Sequence, residues 1–273
     1  MTGSGPVSAD REGPPPDIDI SVAHVARVYD YWLGGKTNFT PDQVAARAAM
    51  RAAPHVAEGV RGNRAFLARA VRFLASDMGI RQFLDIGTGI PTANNTHEVA
   101  QRFAPGSRIV YVDNDPIVLS HAQALLKSNR EGQCAYIDAD LREPEKILAV
   151  ARDTLDFAKP VAVMLVAILQ LIDDTGDPAG IAGRLMAACA PGSFLVISHP
   201  ASDLDAGLDT ATRQFNQSGG EPATNRDRAA VTRLFDGYEL VEPGVVQVAK
   251  WRPDSELEAA RHAAVWAGVA RKP

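Results

Sequence analysis

From residue 82 onward the chain alternates short, almost continuously apolar runs with amphipathic ones. Gln82 to Ile86, Arg108 to Val112, Gln133 to Ile137, Val161 to Val166 and Ser193 to Ser198 read as buried strands. Between them, Asn94 to Phe103, Pro116 to Lys127, Pro144 to Ala151 and Pro178 to Cys189 read as helices. Such alternation predicts a mostly parallel sheet with helices on both faces. Right-handed crossovers then leave a crevice at the carboxyl ends of the strands, where the strand order reverses. The end of the chain differs. Tyr238 to Val241 and Val245 to Ala249 are separated only by Glu242-Pro243-Gly244, which predicts an antiparallel pair closing the sheet.

The first 80 residues have another pattern. Met1 to Pro16 is rich in Gly, Ser and Pro, so residues 1–17 are expected to be a flexible tail. A helix is predicted from Ser21 as N-cap, with Val22, Val25, Ala26 and Tyr29 on one face, ending at Gly34-Gly35. A second starts near Pro41 with Thr40 as its cap, and a third runs from about Pro54 to Met78. Residues 18–80 thus form a helical extension expected to act as a cap or lid, and residues 81–273 form the sheet domain.

Composition narrows the partners. The chain has 273 residues, 46% hydrophobic and 22% charged, and a formal net charge of -5. No run of Lys or Arg offers the basic face that a phosphate backbone needs, so nucleic acid is a disfavoured partner. Cys134 and Cys189 are the only cysteines. This points to a reducing cytoplasm and against a disulfide framework. The longest apolar run, Val161 to Leu169, is too short to cross a bilayer.

The richest chemistry lies at the first strand end, Asp85-Ile86-Gly87-Thr88-Gly89-Ile90-Pro91-Thr92. Two glycines after a buried strand let backbone approach a ligand closely. The amides that open the following helix would then face the ligand. A dinucleotide fingerprint wants Gly or Ala where this chain has Thr92, and Asp85 would sit badly beside a pyrophosphate. A carboxylate there suits an ammonium. S-adenosylmethionine, with S-adenosylhomocysteine as product, therefore fits better than a nicotinamide dinucleotide. Asp113 ends the second strand, where a carboxylate accepts from both ribose hydroxyls. Asn114 and Asp115 compete for the role, Asp115 being placed to cap the next helix. Asp140, followed by Leu141, is the better of two acids for the adenine edge, the other being Asp138. Exposed loop charge is a serious competing reading for both. Val166 and Ala167 leave the fourth strand toward the same crevice. Gln170 is the only polar side chain on that exit before Asp173, and a purely structural strand end accounts for it as well.

Other constellations fail. His97-Glu98 opens a zincin-like motif, but position 101 is Gln101, and no metal site is expected. No nucleophile elbow or phosphate loop occurs. His199, after the fifth strand, is the leading candidate base, against the plainer reading of a satisfied histidine.

At these residues the chain resembles the bacterial S-adenosyl methyltransferase family first catalogued as a domain of unknown function. The resemblance rests on Ala26 to Phe39 (Ala-Arg-Val-Tyr-Asp-Tyr-Trp-Leu-Gly-Gly-Lys-Thr-Asn-Phe), Asn63 to Leu67, Phe83 to Thr92, Tyr111 to Pro116 and Asp140 to Arg142. Pro243 to Val246, Trp251 to Pro253 and the tail Gly268 to Pro273 match as well. It implies a Rossmann-like class I methyltransferase fold, with a seven-stranded sheet whose last strand is antiparallel, and S-adenosylmethionine as cofactor. The family leaves the acceptor undefined. Its members usually carry His where this chain has Gln170, and an amide cannot titrate in its place. In the Tyr29 to Phe39 string, Lys36 and Asn38 are candidate ligand contacts and Tyr29 and Trp32 are candidates for packing. The acceptor, a small molecule by charge, is expected between the N-terminal helices and residues 204–236. A non-catalytic cofactor-binding protein is the alternative reading. The oligomeric state is not legible.

Overall fold

The computed structural model describes residues 19–118, 120, 131–217 and 220–273. The tail expected at 1–17 and most of the helix expected at 116–127 lie outside the described residues.

Three helices come first: α1 (Val25–Leu33), α2 (Thr40–Ala52) and α3 (Val56–Ser76). The alternating region follows as β1 (Gln82–Ile86), α4 (Thr96–Phe103), β2 (Arg108–Asp113), α5 (helical at 116–118 and 120) and β3 (Gln133–Asp138). Then come α6 (Pro144–Ala151), β4 (Ala162–Val166), α7 (Pro178–Ala187) and β5 (Phe194–Pro200). After α8 (Ala206–Asn216) and α9 (Arg228–Arg233) the chain adds β6 (Glu239–Leu240), β7 (Val246–Gln247), α10 (Glu256–Ala259) and β8 (Val265–Arg271).

Among the described residues the sheet has eight strands in the order β3-β2-β1-β4-β5-β8-β6, with β7 also paired to β8. Strands β1 to β5 are parallel and β8 is antiparallel to β5. The order reverses between β1 and β4, which places the crevice at their carboxyl ends. Strands β1, β2, β4 and β5 are buried on both faces, because both are covered, whereas β3 at the edge is mostly half-buried. Leu84, Val110, Val163 and Leu195 meet Ile147 and Leu185 of α6 and α7 on one side. Phe83, Ile109, Met164 and Val196 meet Phe66, Leu67, Val71 and Leu74 of α3 on the other. The long third helix is therefore part of the sheet's cover, whereas α1 and α2 bury only small clusters of their own with residues of α8.

Three expectations are corrected here. Helix α1 starts at Val25 rather than next to Ser21, whose hydroxyl and amide bind Asp19 instead. Thr40 lies inside α2, whose cap position is Phe39, with the Phe39 amide donating to Asp42 at 2.8 Å. The two short strands around Pro243 do not pair with each other. Glu239 and Leu240 face Arg271 and Ala270, and Val246 and Gln247 face Ala267 and Trp266. They are two pieces of one interrupted edge strand on β8. A proline lacks the N–H a ladder needs and is confined to such edges and bulges.

Arg69 of α3 locks this end of the molecule to the sheet. Its buried guanidinium donates to the carbonyls of Trp251 (2.9 Å) and Val248 (2.6 Å) and pairs with Glu258. Arg69→Met keeps the bulk but strips two buried carbonyls of their donor. It is expected to lower stability by about 3 kcal/mol, read as a shifted urea midpoint with an unchanged slope.

Candidate functional site

The crevice is built from the ends of β1, β2 and β4. Directly after β1 the chain turns through Gly87 (φ 75°) and Gly89 (φ 64°), a left-handed region that disfavours side chains. A Cβ on Gly87 would stand 2.6 Å from the Ile168 side chain, while one on Gly89 would meet nothing within 4 Å. The first glycine thus allows close packing and the second faces open space. The end of β2 holds the turn, since Gly87 N donates to Val112 O (2.8 Å) and Gly89 N to Asp113 Oδ2 (2.8 Å). Thr88 turns its hydroxyl back to the carbonyls of Asp85 and Val112.

Asp113 is 8% exposed. Its second oxygen accepts from Asp115 N at 3.0 Å. Burial raises its pKa, partly offset by these two amides. Asp115 caps α5 through Ile117 N (2.8 Å) and pairs with His24 at 3.0 Å. Burial alone would lower the His24 pKa, but the bond to Asp115 and its charge outweigh it. Asp85 is buried and accepts from Thr96 Oγ1 at 2.6 Å. Desolvation raises its pKa to about 6. Arg64 of α3 lines the same cleft and reaches the carbonyls of Ala93 and Asn94.

The amides expected to open the next helix toward the ligand are placed differently. Helix α4 starts only at Thr96, and its His97 amide is taken by the buried Tyr111 hydroxyl at 2.7 Å. The backbone that lines the cleft is therefore the glycine turn itself.

Next to the glycine turn lies a slot lined by Ile86, Val112, Leu141, Ile168 and Leu171, with Asp140 and Asn114 at its edge. Asp140 is already engaged by Asn114 Nδ2 (3.2 Å) and by Arg142 through its amide (2.8 Å) and guanidinium (2.9 Å). Arg142 also reaches Glu221 at 2.6 Å, which closes over the slot. Val166 and Ala167 line the main cleft, as expected from the strand exit.

Two sequence candidates fall outside this cleft. Lys36 is exposed and does not line the cleft or the slot beside it. Asn38 spends its amide on Asp30 Oδ2 (2.8 Å) and Gly35 O (3.1 Å). From that string Tyr29, Asp30 and Leu33 line the cleft, and the Asp30 carboxylate also takes the Thr37 amide. A Cβ on Gly35 would lie 1.9 Å from the Asp30 carboxylate, so the Gly-Gly break serves this turn.

His199 is corrected as well. It is fully buried and lines neither the cleft nor the slot beside it. Its Nε2 faces Arg226 Nη1 at 2.8 Å and its Nδ1 faces Pro200 O at 3.0 Å. Burial, with Arg226 beside it, pushes its pKa down to about 4. Both ring nitrogens are engaged within the protein.

A second, larger cavity of about 1020 Å³ including its mouth adjoins the cleft. Val28, Trp32, Val56, Leu208, Ala211 and Phe215 supply its apolar walls. These come from the N-terminal helices and α8, the two regions expected to hold the acceptor. Val25, Tyr29, Asn63, Ala167 and Gln170 line both spaces and mark the boundary. Tyr29 is thus a cleft residue as well as a packing one. Asn63 links it to the sheet, donating to the Tyr29 hydroxyl (2.9 Å) and accepting from Ser198 (2.6 Å). Sequence reasoning missed His24, and no local signal could have found it, since its partner Asp115 is 91 positions away.

The family described as S-adenosyl methyltransferase matches residues 11–273. A solved structure of a DUF574-family protein from Streptomyces avermitilis is 44% identical and superposes with a TM-score of 0.90 over 93% of this chain and 99% of that one. A Thermobifida fusca protein named as a candidate methyltransferase is 41% identical, with a TM-score of 0.86 over 95% of this chain and 98% of that one. A curated relative, the trans-aconitate 2-methyltransferase of Acidovorax sp. strain JS42, is 26% identical over 192 residues. That alignment covers 67% of this chain and 64% of the relative, so the chain spans less than two thirds of that relative's length.

Proposed function

The chain belongs to the S-adenosyl methyltransferase family, and on that premise we propose that it transfers the methyl group of S-adenosylmethionine to a small-molecule acceptor. The observation that carries this reading is the junction of two spaces at the carboxyl ends of β1 and β4. One is a polar cleft with buried carboxylates and the other is an apolar cavity, and they share Ala167 and Gln170.

The cleft fits the cofactor on its own terms. Open space beside Gly89, free lone pairs on Asp113 and an apolar slot ending at Asp140 match the methionine and ribose, the two ribose hydroxyls and the adenine in turn. Asp85 and Arg64 supply one charge of each sign for the ammonium and carboxylate of the methionine end. S-adenosylmethionine brings a methyl already activated on a sulfonium. The protein then has to align a nucleophile with it and exclude water. We assign ligand contact to Asp85, Gly87, Thr88, Gly89, Asp113, Asn114, Asp140, Leu141, Val166 and Ala167, and none to Lys36 or Asn38.

An apolar cavity beside the cleft supports an enzyme over a non-catalytic cofactor-binding protein, which would offer a partner surface instead. Residues 18–80 with α8 would cap that cavity. The curated relative is named for trans-aconitate, a tricarboxylate. The cavity here has no Lys or Arg among its described lining residues, its positively chargeable side chains being His55 and His262. No described helix is long and apolar enough to cross a membrane. The two free cysteines suit the cytoplasm. The net charge of -5 disfavours nucleic acid.

Calorimetric titration tests the reading. S-adenosylmethionine and S-adenosylhomocysteine are expected to bind, and NAD to give no heat of binding. Binding of NAD alone would overturn the assignment.

A further inference from the structure

The slot beside the glycine turn is closed from outside the sheet. Arg142 lines it, and its guanidinium joins three segments there. It donates to Asp140 at the exit of β3 (2.9 Å), to Leu171 O in the turn after β4 (2.9 Å) and to Glu221 (2.6 Å). Glu221 belongs to the irregular segment between α8 and α9. That segment is held by hydrogen bonds instead. Asn216 of α8 accepts from Ala223 N (2.8 Å) and donates to Ala223 O (2.9 Å). Thr224 N donates to Gln170 O at 2.8 Å, and Arg226 N to Pro200 O at 3.1 Å. The buried Arg226 guanidinium anchors the far end on Leu169 O, Ile172 O and Asp174. Glu221 is thus an acid in a fixed place, and a preorganised group binds without the cost of ordering it.

Two acids therefore meet at the edge of one apolar slot, and they are not equivalent. A carboxylate offers roughly four lone-pair sites. Asp140 spends three, on Arg142 N (2.8 Å), Arg142 Nη1 (2.9 Å) and Asn114 Nδ2 (3.2 Å). Glu221 spends one, through Oε1, on Arg142. Among the described residues its Oε2 has no hydrogen-bond partner. The side chain is 26% exposed and lines both the cleft and the slot. The chemistry of adenine says which donor such an oxygen takes. In a nucleoside the ring nitrogens of adenine that are not bonded to the sugar only accept, and the N–H groups are the two of the exocyclic amine. Asp140 has room for one of them, and Glu221 Oε2 is the acceptor left for the other. The ribose hydroxyls have the free lone pairs of Asp113.

We propose that Glu221 recognises the adenine amine of S-adenosylmethionine, accepting one N–H through Oε2 while Arg142 holds Oε1, and so sets a preference for adenine over a purine that lacks the amine. The inference rests on the methyltransferase reading above and adds a specificity-determining residue to the same cofactor site. The segment that carries Glu221 also presents Ala223 and Asn225 to the larger cavity. The adenine slot and the acceptor cavity therefore share one wall.

The test compares S-adenosylhomocysteine with its analogue in which hydrogen replaces the adenine amine. Affinities are measured by calorimetry on full-length wild type, Glu221→Gln and Glu221→Asp, with thermal unfolding as the check on folding. Wild type is expected to prefer S-adenosylhomocysteine about 100-fold, in line with two hydrogen bonds to charged acceptors at a partly exposed edge. In Glu221→Gln the single amide oxygen goes to Arg142 and the amide nitrogen faces the amine. The preference should then fall to about tenfold while the analogue's affinity holds. Glu221→Asp keeps the charge but is one methylene shorter. It should lose the preference to the same extent, which separates a contact from a charge acting at a distance. An unchanged preference in either variant overturns the proposal, as does the absence of any preference in wild type. So does an equal loss for both ligands, which would assign Glu221 to the ribose or the methionine end. Failure of S-adenosylhomocysteine to bind wild type would overturn the methyltransferase reading, and this proposal with it.

Discussion

Replacing Asp113 with Ala is expected to weaken S-adenosylhomocysteine binding by a factor of about 100 to 1,000. A carboxylate offers roughly four lone-pair sites. Two are used inside the protein, by Gly89 N and Asp115 N. Two remain, which matches the two hydroxyls of one ribose. Hydrogen bonds to a charged acceptor are worth about 1.5–3 kcal/mol each; two at the lower end of that range remove about 3–4 kcal/mol of binding, a factor of about 100 to 1,000. The substitution also leaves the Gly89 amide without its partner, and the glycine turn loosens where the ligand must meet it. Asp113→Asn separates the two effects. It keeps a neutral acceptor for one amide and should lie between wild type and Asp113→Ala. Calorimetric affinities for the three proteins, with thermal unfolding as the check on folding, decide the matter. Wild-type affinity in Asp113→Ala would place the ribose elsewhere.

The same residue shows why part of the site is legible in the sequence. Asp85, Gly87, Gly89 and Asp113 all sit at strand ends, and strand ends are set by local pattern. The alternation of runs places them on one edge of the sheet with no knowledge of tertiary contacts. Lys36 and Asn38 lie in a turn, and turn polarity is ambiguous. The same Asn serves a ligand or its own loop, and here Asp30 claims it. His199 stands at a strand end too, yet its fate depends on Arg226, which is 27 positions on and ties Leu169 O, Ile172 O and Asp174 to the same spot. No spacing rule announces such a partner. The fold shows the same division. The parallel core follows from apolar runs between helices. The edge does not, because Glu242-Pro243-Gly244 signals a turn without saying which strand its flanks will join. Val265–Arg271 claims both flanks and inserts beside β5.

Between pH 7 and pH 5, S-adenosylhomocysteine affinity is expected to fall about tenfold, and Asp85→Asn should flatten the profile. Desolvation holds the Asp85 pKa at about 6, against 3.8 for an ordinary Asp, although Thr96 and Arg64 pull it down. The sign for stability follows from proton counting. Between about 4 and 6 the native protein holds a proton that the unfolded chain has released, so this residue's contribution falls as pH rises through that window and is constant above it. Binding runs the other way. A ligand ammonium beside Asp85 favours the carboxylate, so the complex has the lower pKa and association below pH 6 must expel a proton. Each pH unit below that point costs about a factor of ten. Asp113 also has a raised pKa, and the Asn variant at position 85 tells the two apart. If Asp85 is the linked group, Asp85→Asn binds more weakly at pH 7, loses the slope and releases no proton in buffers of different ionisation enthalpy. A slope that survives in Asp85→Asn would assign the linkage to Asp113. A flat wild-type profile would mean that the ammonium sits away from both.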